Sequence, residues 1–325
     1  MMVGKFKAMA AAASMAVIFA AQAHADEVTL RAVAFIPKNH PLMAQTQVWV
    51  DDVNAALKGK VKVNYIGGPE VMPALQQTEA VGKGVIDITF NPTAYYQSAF
   101  PEAGAFILSR KSVTEEREAG GFYDYMVKSH EKLNVRYVGR ALWSPFYFWT
   151  TAPIANLDEL KGKKMRTTAL HDRFMKALGV VPVTVPEGDT YTALEGGTVS
   201  GFGWPIAGPR QRGWTKVAKN VIDLPFFASN NIVILMNLDK WKSLPPDVQK
   251  AIETVTADFE PKMVKHFQDA EAAEWADLDK AGVKRIKFSD AENKTFVDTA
   301  YQVEWDNLAT KVPDSIAELR RLTGN

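Results

Sequence analysis

The spacing of apolar residues changes several times along this chain, and each change marks an element. Residues 28–35 (VTLRAVAF) make a short apolar run of the kind a buried strand needs. Residues 41–57 carry apolar side chains at helical spacing, with a wet face at Asp51, Asp52 and Asn54. A strand over 61–66 closes on Gly67-Gly68-Pro69, a helix over 73–82 has proline in its first turn, and 85–90 (VIDITF) gives a third strand. This alternation opens a mostly parallel sheet with helices on its faces. The middle of the chain repeats it. An amphipathic helix is expected over 114–133, strands over 135–142, 146–151 and 164–167, and a helix over 171–178 ending on Gly179. A strand over 181–185, a helix near 190–194 and a strand over 199–203 complete a second such unit. Residues 232–237 (IVILMN) read as another buried strand. The pattern then turns helical: 246–281, interrupted only by Pro261, then 291–310 and 314–322. No Gly/Ser linker divides the chain. An α/β chain with two lobes and no linker is expected to cross between them more than once.

The aromatic residues are concentrated at 143–149. In an extended strand, alternate residues share a face. Trp143, Pro145, Tyr147 and Trp149 therefore point one way, and Phe146 and Phe148 the other. One face must join a core, and the other is available to a cleft or to a second core.

Composition narrows the compartment. Lys5 and Lys7 precede a small, apolar run over 8–21, and Ala23-His24-Ala25 supplies small residues before Asp26. This is the form of a secretory leader, cleaved before Asp26, and the apolar run is shorter than the roughly 20 residues a spanning helix needs. Loss of Lys5 and Lys7 would move the formal net charge from +1 to −1. That balance gives no electrostatic case for nucleic acid or for an anionic membrane surface. The chain has no cysteine, which excludes disulfides, thiolate metal sites and cysteine nucleophiles.

Motifs for catalysis are incomplete. The histidines are His24, His40, His130, His171 and His266, and none has a second histidine at helical spacing. His130-Glu131 begins like a zinc-protease motif, but Asn134 stands where the second histidine belongs. In Gly197-x-x-Ser200-Gly201 the serine is one place late for a nucleophile elbow, and Gly201-x-Gly203 lacks the third glycine of a dinucleotide loop. His40, in the loop ending the first strand, is kept as a site candidate, although a contact at the following helix start explains it more simply.

Leu160-Lys161-Gly162-Lys163-Lys164-Met165-Arg166 resembles the Leu-Lys-Gly-x-Lys-hydrophobic-Arg segment of solute receptors of TRAP (tripartite ATP-independent periplasmic) transporters, the C4-dicarboxylate-receptor type. Further pieces follow in that family's order. They are His40-Pro41, Gly67-Gly68-Pro69-Glu70, the run from Glu79-Ala80-Val81 to Gly84 and Asp87, the run from Tyr191 to Gly201 with Pro205 after it, and Leu244-Pro245.

The resemblance implies a two-lobed α/β fold of the periplasmic-binding-protein type, with strands crossing between lobes and a long C-terminal helix spanning both. It implies lobe I over 26–142 and 230–269, and lobe II over 143–229 and 270–325. It also implies a small organic acid as ligand, membrane-embedded TRAP permease subunits as partners, no cofactor and no catalysis. Arg166 matches the family's carboxylate-binding arginine, and a guanidinium presents a planar fork suited to a carboxylate.

The sequence departs from the family in two places. Pro145 or Phe146 stands where many members have a second arginine, and Ser200 and Trp204-Pro205 replace the family's Asp and Asn-Pro. Aromatics for polar groups point to a monocarboxylate with an apolar, aromatic or cationic remainder. The candidate ligand-binding set is Arg166, Trp204, Asn91, Phe146, Tyr147, Phe35 and His40. A periplasmic enzyme on a similar scaffold, or a receptor serving an ATP-driven importer or a sensor kinase, are the alternatives.

Overall fold

The computed structural model describes residues 27–167, 171–227 and 232–325; the expected leader and its cleavage point lie outside them. The chain opens with β1 (Val28–Ala34), α1 (Ala44–Ala56), β2 (Val61–Gly67), α2 (Gln77–Gly82) and β3 (Ile88–Pro92). After a 3-10 segment at Pro101–Leu108 come α3 (Val113–Glu116), α4 (Phe122–His130) and β4 (Val135–Arg140). Then follow β5 (Tyr147–Thr150), β6 (Lys164–Thr167), α5 (Asp172–Ala177), β7 (Val181–Thr184), α6 (Thr190–Glu195), β8 (Gly201–Trp204) and β9 (Asn220–Ile222). The last stretch holds β10 (Ile232–Asn237), α7 (Leu238–Ser243), α8 (Pro246–Lys280), β11 (Lys284–Ile286), α9 (Asp290–Lys311) and α10 (Ile316–Thr323).

Two sheets form, ordered β2-β1-β3-β10-β4 and β11-β9-β5-β8-β6-β7, one for each lobe. The expectation of a mostly parallel sheet needs amending. β10 runs antiparallel to both β3 and β4, and β5 antiparallel to both β8 and β9, while the other pairings are parallel. The reason is topological. Each reversed strand is the one that arrives from the other lobe, so it enters its sheet from the cleft side. All other strands run toward the cleft, and their carboxyl ends face each other across it. This is where open α/β sheets place their ligands.

The chain passes from one sheet to the other at 141–146 and again between β9 and β10, and α8 makes a third crossing. Along α8, Val248, Ile252, Phe259 and Met263 are buried in a core with Trp49 and Phe90 of the first lobe. Near the helix's far end, Leu278 joins a core with Trp149 and Phe202 of the second. No residue over 264–273 is fully buried. The helix runs unbroken through Pro261, against the interruption expected there. Pro261 lies on the exposed face, so the carbonyl its missing N–H leaves unpaired can be satisfied by water.

The helix expected over 114–133 is split. Gly120 sits at φ 69, in the left-handed region, and Gly121 then caps α4. β9 and β11, three residues each, are too short to show a period in sequence. The alternation of the 143–149 run is as expected, but both faces of β5 are enclosed. Tyr147 and Trp149 enter one core with Phe202 and Trp214, and Phe148 enters the other with Phe174 and Phe226.

Where the chain leaves the first sheet, a buried ion network fixes it. Arg140 is 2% exposed, with Nη2 2.5 Å from Glu116 Oε1 and Nε 3.0 Å from Glu116 Oε2. Its guanidinium also donates to the Phe106 carbonyl, and its backbone N–H to Glu260 on α8. Glu260 accepts in turn from Arg117. Removing Arg140 strands the Glu116 carboxylate in the core. Arg140→Met should therefore lower the unfolding free energy by roughly 3–5 kcal/mol, read as a drop in the urea midpoint. The double variant with Glu116→Leu should recover most of that loss.

Candidate functional site

Arg166 is the centre of the site. It sits in the carboxyl half of β6, in register with Val183 of β7 and Phe202 of β8. Parallel neighbours in register share a face, so Arg166 lies on the side that carries Phe202 and Trp204. Its Nε donates to the Val185 carbonyl at 3.0 Å, which anchors the guanidinium by one corner. Its terminal nitrogens donate to no protein group, and no carboxylate is within ion-pair distance, among the described residues. The residue is 4% exposed. Burial pulls its pKa below the usual arginine range, and the nearby Glu187 carboxylate opposes that shift. A buried cation held by its Nε, with its fork unclaimed, is prepared for an anion.

Trp204, at the end of β8, is half-buried and packs edge-on against Trp214 at 5.1 Å. Its carbonyl accepts from Trp149 Nε1. The guanidinium carbon of Arg166 lies 5.3 Å from the Trp204 ring centroid, and that of Arg212 lies 5.5 Å from it. The indole is thus engaged by two of the protein's own cations. Tyr147 is directly opposite Trp204 in the antiparallel ladder, and its hydroxyl donates to Glu271 of α8 at 2.5 Å. Burial, then that carboxylate, push its pKa above the usual tyrosine range.

His40 reaches the group from the first lobe. Its Nδ1 faces the Leu42 N–H at 3.2 Å, the helix-start contact, while Nε2 lies 2.9 Å from Nη2 of Arg212. A neutral imidazole has one acceptor nitrogen, and a guanidinium only donates. The ring can therefore accept from Arg212 or from the Leu42 N–H but not from both; the shorter, charge-assisted contact favours Nε2 as acceptor, which leaves Nδ1 protonated and its contact with Leu42 without a hydrogen bond. Arg212 is held from the other side by Glu187, Nε to Oε1 at 2.5 Å.

The remaining candidates make no direct contact with this group among the described residues, although Phe35 and Asn91 stand at the cleft ends of β1 and β3. Phe146 is on the opposite face of β5 from Tyr147 and packs on His171 and Phe226. Phe35 stands edge-on to Tyr95, 6.2 Å away. Asn91 is fully buried, with Nδ2 bonded to Ala74 O and Thr78 Oγ1; its Oδ1 has no partner among the described residues. None of the three has a hydrogen bond, ion pair or ring contact with Arg166, Trp204 or His40 among the described residues. Arg166, Trp204, Tyr147 and His40 are thus drawn together, with Arg212 and Glu187 as members the sequence reading lacked. Arg212 lies in the turn-rich segment 206–213, which has no period to read. The only available signal was a second cation shortly after Trp204-Pro205.

Burial, then the Arg212 charge, lower the His40 pKa from 6.5, with Glu187 opposing. The sign follows. The neutral ring's contribution is complete above its unfolded pKa and is lost as pH falls through the lowered folded value. A proton-detected titration of the histidines should place His40 below 6.5, and Arg212→Ala should raise it. An unchanged His40 pKa in Arg212→Ala would show that Arg212 does not face the ring.

The comparisons with known proteins agree with this geometry. Residues 32–311 match the family of bacterial extracellular solute-binding proteins, family 7 (DctP). The monocarboxylate 2-oxoacid-binding periplasmic protein of Nostoc sp. is 24% identical over 278 residues, 82% of this chain and 76% of that protein. A TRAP periplasmic solute-binding protein from Desulfovibrio salexigens, solved with bound orotic acid, superposes with a TM-score of 0.77 at 20% identity, over 92% of this chain and 98% of that one. A TRAP solute-binding protein from Bordetella bronchiseptica, solved with calcium and picolinate in one of its sites, gives 0.72 at 23% identity over 92% of each chain. The two structures share the two-lobed architecture. The family match covers most of the chain and both lobes, and the chain belongs to bacterial extracellular solute-binding protein family 7, the DctP family.

Proposed function

We propose that this receptor captures a small monocarboxylate with an apolar, aromatic or cationic remainder in the cleft between its lobes. It then hands the ligand, chemically unchanged, to the membrane permease of a TRAP transporter. The observation that carries the reading is the guanidinium of Arg166, buried at its base and without a carboxylate partner among the described residues. A cleft closing on a carboxylate must neutralise it, because a buried unpaired charge costs several kcal/mol. Arg212 is already matched by Glu187, so of the two arginines only Arg166 is left without a carboxylate partner among the described residues.

Chemistry around Arg166 supports the rest. Trp204 and Tyr147 give the ligand's remainder a largely aromatic boundary, with His40 opposite. The relatives fit such a preference in part. One is named for 2-oxoacid monocarboxylates; two solved receptors hold orotic acid and picolinate, and two others hold galacturonate, so the common feature is a single carboxylate, and orotic acid and picolinate alone match an aromatic remainder. We assign lobe I to 26–142 and 230–269 and lobe II to 143–229 and 270–325, and place export to the periplasm with cleavage before Asp26. No helix of the described residues is long and apolar enough to cross a membrane. We assign the chain no catalytic role.

Calorimetric titration of Arg166 variants, against acids found by thermal-shift screening, tests the reading. Arg166→Ala should lose roughly 2–5 kcal/mol of binding free energy, the scale for truncating one partner of a buried charge pair. Arg166→Lys keeps the charge and loses the fork, so it should also bind poorly. Near-wild-type affinity in a folded Arg166→Ala protein would place the acid group elsewhere.

A further inference from the structure

Arg212 is constrained from several directions. Its Nε donates to Glu187 Oε1 at 2.5 Å, and its Nη2 lies 2.9 Å from His40 Nε2. Its guanidinium carbon lies 5.5 Å from the Trp204 ring and 5.6 Å from the Trp214 ring. Arg166 stands 5.3 Å from the same Trp204 ring, so the two guanidiniums belong to one site. They differ in what they already hold. Arg212 has a carboxylate, and Arg166 has none among the described residues.

We propose that Glu187 is a built-in counter-ion that makes the receptor select acids with one carboxylate over acids with two, and that His40 steadies Arg212 in this role from the facing lobe. The proposal rests on the reading of Arg166 as the ligand's carboxylate anchor. With Glu187 in place, the two arginines and one carboxylate sum to a single positive charge, which one ligand carboxylate cancels. A second ligand carboxylate has two options in the closed cleft. It can stay unpaired, at a desolvation cost, or it can displace Glu187 from Arg212 and leave that side chain's charge beside its own. Both disfavour a dianion. Glu187 is 43% exposed at its side chain, so solvent moderates the effect and the discrimination is finite. His40 makes it depend on closure: Arg212 has this partner only when the lobes are together, and a neutral imidazole accepts from the guanidinium without competing for its charge.

Glu187→Gln is the informative variant. The amide oxygen can still accept from Arg212 Nε, so the geometry is kept while the counter-charge is removed. Probes are matched pairs differing by one charge: succinate, glutarate and terephthalate, each against its monoamide, titrated by calorimetry. In the wild type each monoamide should bind more tightly than its diacid. In Glu187→Gln the diacid should gain roughly two- to fivefold relative to its monoamide, the range for a partly exposed charge pair. Adding Arg212→Gln should abolish that gain. Circular dichroism and melting curves check that each variant is folded. An unchanged preference in Glu187→Gln would overturn the proposal, as would a gain that survives in the double variant. If no acid of either kind binds the wild type, or if Arg166→Ala leaves binding intact, the carboxylate-anchor reading itself fails and the filter with it. Tight monoamide binding in the wild type with no diacid gain in Glu187→Gln would sink the filter alone.

Discussion

A single chain that builds two sheets with a gap between them must cross that gap repeatedly, and this constraint shapes the rest of the molecule. Each crossing delivers a strand to its new sheet from the cleft side. β5 and β10 are therefore the reversed strands, each flanked by strands of the opposite direction. The remaining strands end at the cleft, and their carboxyl ends supply β6 with Arg166 and β8 with Trp204. His40 follows the end of β1. Packing enforces the arrangement. The core that contains Val33 and Phe106 of the first lobe continues without a break into Phe148, Phe174 and Phe226 of the second, joined through Phe296 and Trp305 of α9. Ionic contacts mark the junctions. Arg140 is gripped where β4 ends, and Arg210, beside the site, pairs with Glu274 near the far end of α8.

Charge in the site is arranged by graded satisfaction. Arg140, at the crossing, is fully enclosed by Glu116 and the Phe106 carbonyl and serves packing. Arg212 is matched by one carboxylate and one imidazole. Arg166 has a single backbone carbonyl at its Nε. Arginine's planar fork makes these differences chemically sharp, because each missing partner leaves a donor pair aimed in a known direction. Arg166, the least satisfied of the three, is the one we propose as the ligand's anchor.

Much of the architecture was legible in sequence because burial imposes period. The runs at 164–167 and 232–237 coincide with β6 and β10, and the helical character of the last third is as read. Apolar pattern does not report direction, so a run entering from the opposite side looks the same, and the mixed sheets were not foreseen. Pro261 suggested a break that the exposed side of a long helix tolerates. Gly120-Gly121 divided a helix whose amphipathic spacing continues on both sides. In the site, Arg166 was legible through its resemblance to a family segment and Trp204 through its departure from one. Arg212 and Glu187 were not, since 25 residues separate them in the chain and only the fold makes them a pair.

The long helix has a mechanical meaning. A hydrogen-bonded rod with one end seated in each core resists being stretched, so the lobes cannot simply draw apart along it; they can only swing or twist. Bending is cheapest where the ladder already lacks a rung, and proline at 261 removes one just before the uncovered stretch. The neighbouring residue, Glu260, holds the backbone of Arg140 and the side chain of Arg117. The most compliant point of the axle is thus clamped to the place where the chain first leaves lobe I. The hydrogen bonds of Glu260 tie the helix, beside its missing rung, to the end of β4.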